Sequence, residues 1–236
     1  MRIRMRRGVA AALTVSALCF SAAACGTEDE KKPAAAGDKA KDKGEEKPAA
    51  PLTAAQMKAA LLEVKDLPAG WKSSPAAKDD DIAKVDKPEC KALGTVLSGK
   101  VEGATMGDTH DFEGAAGTSI LSEQVYTFAG TGAVDHMKAL SDAVGVCKSF
   151  AVTGDEGFPV KVETLAAPKA AEESLTFKMT LQIPGLGQGI SSNLLVMRQG
   201  NGVARIAHVP GEEKLAKDFD DLVKRAGDKF VKGAQS

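Results

Sequence analysis

Apolar residues recur at helical spacing in four stretches of the chain and alternate at strand spacing between them. Thr53 is placed to cap a first helix whose Met57, Leu61 and Val64 form one stripe, ending at Leu67-Pro68 and Gly70. A short second helix opens with Pro88 and sets Cys90, Leu93 and Leu97 on one face before Gly99 stops it. The third runs from about Gly132 to Cys147, with Met137, Leu140, Val144 and Cys147 in register. The last spans roughly Glu212 to Phe230, presenting Leu215, Phe219, Leu222, Ala226 and Phe230 to one side, with acidic residues crowding its start.

Between these helices the period changes to two. Ser119 to Ala129 alternates through Ile120, Ser122, Gln124, Tyr126 and Phe128, and Phe150–Thr153 and Val160–Leu165 are shorter strands. Leu175 to Ile183 sets Leu175, Phe177, Met179, Leu181 and Ile183 against Thr176, Lys178, Thr180 and Gln182, which predicts one core face and one wet face. Asn193–Met197 and Val203–Val209 flank Gln199-Gly200-Asn201-Gly202, where Asn-Gly signals a hairpin turn. Segregated helices and hairpins of this kind predict an α+β domain, an antiparallel β-sheet with flanking α-helices. Residues 52–236 suffice for one such domain with its own core. The chain has one Trp, one Tyr and eight Phe, so Leu, Val, Ile and Ala must supply most of the packing.

The N-terminus has another pattern. Arg2, Arg4, Arg6 and Arg7 precede an apolar run from Val9 to about Ala24, shorter than the ~20 residues a spanning helix needs and suited to a secretory signal peptide over 1–24. Ala22-Ala23-Ala24-Cys25 resembles the lipobox of bacterial lipoproteins, with Ala22 where Leu is usual. The resemblance implies that Cys25 receives a diacylglyceryl group and that cleavage falls just before it. A plain signal cut with an incidental Cys is the alternative, and Arg6-Arg7 leaves both Sec and Tat export open. Residues 25–51 then form a lipidated, charged tether, rich in Lys, Asp, Glu, Ala, Gly and Pro and without a bulky apolar residue before Leu52. Loss of 1–24 removes four of the 31 basic residues and none of the 32 acidic ones, so the mature chain is mildly acidic, near −5. That balance argues against a nucleic-acid partner, and no polybasic stripe in the sequence backs up the lipid.

Cys19 leaves with the signal and Cys25 takes the lipid, which leaves Cys90 and Cys147 to form one disulfide, as two thiols in an exported domain most simply do. A metal site fails on spacing, since His110, His136 and His208 stand at no finger-like distance from either Cys. No cofactor is implied.

Leu67-Pro68-Ala69-Gly70-Trp71, Pro88-Glu89-Cys90 and Cys147-Lys148-Ser149-Phe150, with the paired late strands, resemble the extracellular sensor domain of actinobacterial PknH-type Ser/Thr kinases and its lipoprotein relatives. The resemblance implies an antiparallel sheet with flanking helices, a cleft for a ligand and two disulfides, of which this chain has cysteines for one. The kinase half is missing, so a partner would have to read out any sensing.

Candidate chemistry is sparse. Asp108, His110, Asp111 and Glu113 read as a polar, Gly-flanked loop, with a cation site or acid–base role as the alternative. Asp135-His136 marks a helix start, with Asp135 capping and His136 at the surface. Ser119 and Ser122 lack the Gly-x-Ser-x-Gly turn of a hydrolase nucleophile. Gly185-Leu186-Gly187-Gln188-Gly189 follows Pro184 and leads into a strand, so it reads as a hairpin connection and not a phosphate loop. His208 fits a core edge or the surface. Trp71, the single Trp, either walls a ligand cleft or staples its loop to the sheet. Together these features predict a membrane-anchored extracytoplasmic lipoprotein that is not an enzyme. Its domain would bind a small apolar ligand, a cell-wall fragment or a membrane protein, and an extracytoplasmic hydrolase is the alternative.

Overall fold

The computed structural model describes residues 49–76, 82–114, 117–154, 157–166, 169–211 and 218–236. The expected signal peptide, Cys25, nearly all of the expected tether and the expected Glu212–Leu215 start of the last helix lie outside the described residues. Thr53 opens α1 (Ala54–Ala60) through a reciprocal capping box with Gln56. The helix is shorter than its apolar stripe predicts, because Leu61 turns extended at φ −77°, ψ 142°. Leu61 and Leu62 are both buried, and a 3-10 turn at Val64–Asp66 follows. Val64 therefore leaves the stripe and is 43% exposed.

Pro88–Cys90 form a second 3-10 turn that runs into α2 (Lys91–Val96). The longer helices are α3 (Gly132–Val146) and α4 (Asp218–Ala234). In α4 the expected Phe219, Leu222, Ala226 and Phe230 are buried. Gly233 is placed where a Cβ would collide with the backbone of Ala59 and Ala60, so glycine permits the close approach of α4 to α1.

The strands are β1 (Lys72–Ser74), β2 (Lys84–Val85), β3 (Ala104–Glu113), β4 (Ile120–Phe128), β5 (Ser149–Thr153), β6 (Phe158–Thr164), β7 (Glu173–Leu181), β8 (Ile190–Gln199) and β9 (Gly202–Val209). They form one sheet in the order β1-β3-β4-β9-β8-β7-β6-β5-β2, antiparallel at every pairing. The β8–β9 turn is centred on Gly200-Asn201, since Gln199 pairs with Gly202. It therefore lies one residue earlier than Asn-Gly suggests, with Gly200 taking the positive φ of 55°. Residues 182–189 connect β7 to β8, so the Gly185–Gly189 run is a hairpin connection as read.

Helices cover both faces of this sheet, and two cores result. Tyr126, Phe128, Phe177, Met179 and Val196 pack with Leu93, Met137, Leu140 and Val144 on the α2–α3 side. Leu121, Val125, Leu195 and Ile206 pack with Met57, Leu61, Phe219 and Phe230 on the α1–α4 side. The second face of β7 is consequently not uniformly wet, because Thr176 on it is 2% exposed. The Cys90–Cys147 disulfide ties the start of α2 to the end of α3, with Cα atoms 5.8 Å apart.

Candidate functional site

The Asp108–Glu113 cluster is part of strand β3 and not a loop. Strand alternation sends neighbouring side chains to opposite faces, so His110 and Asp111 do not converge on one ligand. His110 pairs across the ladder with Glu123 and faces the α1 side, where its Nδ1 lies 2.9 Å from the Leu62 carbonyl. Asp111 is buried opposite Ser122. The local sequence looked like a loop because polar residues interrupt it on both faces. Pairing with β1 and β4 makes it a strand nonetheless.

Glu123 is a residue the local pattern does not reveal: between Ser122 and Gln124 in sequence, it shares its face of β4 with Leu121 and Val125, and nothing nearby in the chain reports that this face is covered there. It is fully buried, and its Oε2 accepts the Leu62 N–H at 2.6 Å. Among the described residues its Oε1 has no hydrogen-bond partner. Burial pushes its carboxyl up to about 8, against the pull of the Leu62 N–H and of Lys229. Glu123 and His110 thus grip the N–H and C=O of a single residue, Leu62. This clamp replaces the helical hydrogen bonds that α1 gives up at Leu61. Just outside it, Lys229 bridges Glu63 and Asp66 at 3.0 Å each. Lys65 and Lys229 hold the exposed Glu63 carboxyl down at about 2.

His136 is not a free surface group. Its Nε2 lies 3.1 Å from the Tyr126 hydroxyl, and its ring packs 5.3 Å from Phe128. Burial and then Arg205 lower its pKa to about 4. Asp135 accepts the Thr131 hydroxyl at 2.7 Å, so Thr131 and not Asp135 stands at the cap position. Arg205 donates to the Thr95 and Ser98 carbonyls at 2.9 and 2.7 Å and to Gln124 at 2.8 Å. It closes the carboxyl end of α2, where a cation also meets the helix dipole favourably. Ser119 is buried, and its hydroxyl accepts the Gly211 N–H at 3.1 Å.

Trp71 follows a turn in which its N–H donates to the Pro68 carbonyl. It is half-buried against the α1–α4 core, with its ring 6.2 Å from His208. His208 is buried and stacks on Phe219 at 5.7 Å and 7°. Three residues remote in sequence therefore form one aromatic row, whose outermost member is Trp71. The staple reading describes its inner edge, while the exposed part of the indole remains available for contact.

Two adjoining clefts flank the outer face of α4. One, of about 520 Å³, is lined by Lys169, Ala170, Gln199, Asp228, Lys232 and Gln235 among others. The second, of about 370 Å³, is lined by Lys65, Asp66, Arg225, Asp228, Lys229 and Lys232.

No protein-family model matches the chain, and no curated protein sequence matches it. Among solved structures, the crystal structure of the extracellular domain of PknH from Mycobacterium tuberculosis is similar, with a TM-score of 0.54 at 14% identity. The match covers 79% of this chain and 98% of that one. An uncharacterized protein from Mycobacterium smegmatis matches with a TM-score of 0.42 at 12% identity, over 78% of this chain and 98% of that one. The likeness to the PknH extracellular domain is one of fold.

Proposed function

We propose that the chain is an extracytoplasmic lipoprotein, anchored at Cys25, whose domain is a noncatalytic binding or sensing module. The observation that carries the noncatalytic reading is what the chemistry-bearing side chains do. His110 holds the Leu62 carbonyl, His136 meets Tyr126, His208 stacks on Phe219, and Ser119 takes the Gly211 N–H. A general base must reach the proton that it removes. These groups are already spent on the fold. The Cys90–Cys147 disulfide supports an oxidising location, since such bonds persist in exported proteins. The shared fold with the extracellular part of a kinase supports sensing by analogy. Trp71 is the side chain we assign to ligand contact, for a small apolar molecule, cell-wall fragment or membrane protein.

Two measurements test this. Cys25→Ser is expected to shift the protein from the membrane pellet to the soluble fraction. Retention in the pellet after carbonate washing defeats the anchor. Native mass spectrometry of the protein purified from its host is expected to show a co-purifying mass that is lost in Trp71→Ala. A ligand retained unchanged by Trp71→Ala removes Trp71 from the site.

A further inference from the structure

We propose that the outer face of α4, with the two clefts beside it, is a docking surface for the headgroups of anionic phospholipids. This deepens the anchoring reading and rests on it for the direction in which the domain faces. Lys65, Lys169, Arg225, Lys229 and Lys232 come together there, against Asp66 and Asp228. Lys65, Lys169, Arg225 and Lys232 are exposed. The concentration does not follow from composition, because the chain carries no excess of basic over acidic residues. The helix dipole accounts for cations in the last turns of α4, but not for Lys65 beside α1 or Lys169 before β7. Lys65 and Lys229 are themselves paired with Glu63 and Asp66, and Glu172 and Glu173 bind Arg198 at 2.8 and 3.0 Å. Among the described residues, Lys169, Arg225 and Lys232, against Asp228, are therefore the cations that remain to meet a headgroup.

The position of this face matches the path of the chain. The Asn201 side-chain amide donates to the Ala49 carbonyl, and Gln56 donates to the Ala234 and Ser236 carbonyls at 3.2 and 3.0 Å. The polypeptide coming from Cys25 therefore enters the domain beside the β8–β9 turn and the end of α4. Gln199 and Gln235, from those same two elements, line the larger cleft. An anchor at Cys25 pulls this end of the domain toward the bilayer, where each Lys or Arg near an anionic surface adds to the attraction. The shared Asp228–Lys232 edge makes the clefts one continuous surface, which suits an array of headgroups better than one enclosed anion.

The test uses residues 45–236, which form one compact unit containing both cores, the nine strands of the described residues and the disulfide and so fold without the anchor. Sedimentation with vesicles of phosphatidylcholine containing 30 mol% phosphatidylglycerol is expected to carry down roughly tenfold more protein than phosphatidylcholine alone. Raising the salt to about 0.5 M is expected to abolish the difference, because exposed charges are then screened within a few Å. Arg225→Glu/Lys232→Glu on the helix, and separately Lys169→Glu off it, are expected to lose most of the binding with an unchanged thermal midpoint. Equal sedimentation with both vesicles, or binding unaffected by both variants, overturns the proposal. So does competition by 5 mM inorganic phosphate at constant ionic strength, which would identify a site for a single anion. Failure here with Cys25→Ser still releasing the protein leaves the lipid anchor standing. Vesicle binding without such release would defeat the anchor alone.

Discussion

Reduction of the Cys90–Cys147 bond, or its removal as Cys90→Ala/Cys147→Ala, is expected to cost the domain about 4 kcal/mol in the chain-entropy model. The two residues stand 57 apart in sequence, so the bond closes a long loop in the unfolded chain. That loop contains α2, β3, β4 and all of α3. Both cysteines are buried, and Cys90 begins a helix of only six residues, too short to persist without tertiary support. The loss is a large fraction of the 5–15 kcal/mol typical of a domain. Urea melts with and without reductant measure it. A midpoint shift equivalent to under about 1 kcal/mol would show that packing of α2 against α3, and not the covalent link, holds this region.

Glu123 sets the second large effect, on stability against pH. Its carboxyl titrates near 8 in the folded protein and near 4.5 in the unfolded chain. Between those values the folded state keeps a proton that the unfolded state has shed. Stability therefore falls as pH rises through this window and levels off above 8. His136 acts in the opposite sense. Its folded value of about 4 lies below the 6.5 of the unfolded chain, so the unfolded state binds more protons between them and stability rises with pH. The two contributions offset each other from about 4.5 to 6.5, and above 6.5 only Glu123 acts. A decline on the order of 2 kcal/mol between pH 6.5 and 8 is expected. Glu123→Gln keeps an acceptor for the Leu62 N–H and removes the titration. Its denaturation midpoint should be flat over that range and exceed the parent's at pH 8.5. Parallel curves for the two proteins would show that Glu123 is already ionised in the folded state.

Much of the architecture was legible because periodicity is a local property. The cap at Thr53, the apolar faces of α3 and α4, and the alternation in β4 and β7 each predict their own element. Cysteine counting paired Cys90 with Cys147, and the order of helices and hairpins implied an α+β sheet. The misses share one cause. β3 read as a loop because its polar residues serve opposite environments, His110 reaching Leu62 on one face and Asp111 buried on the other. His136 read as surface because nothing near it in sequence reports Tyr126 and Phe128 packing against it. Glu123 went unremarked inside the predicted Ser119–Ala129 strand because its cover, α1 and α4, comes from both ends of the domain.

The sequence by itself determined the four helices and the strands from β4 onward, which cysteines pair, and where a lipid anchor is to be sought, since each depends on residue types at short or countable spacings. Tertiary structure alone decided that both faces of the sheet are covered. It also decided that Glu123 and His110 clamp Leu62, that Trp71, His208 and Phe219 form one row, and that scattered lysines and Arg225 gather along α4. Each of these is a meeting of residues far apart in the chain. Burial and electrostatics act through space, so they are set by the neighbours that folding supplies and not by the neighbours in sequence.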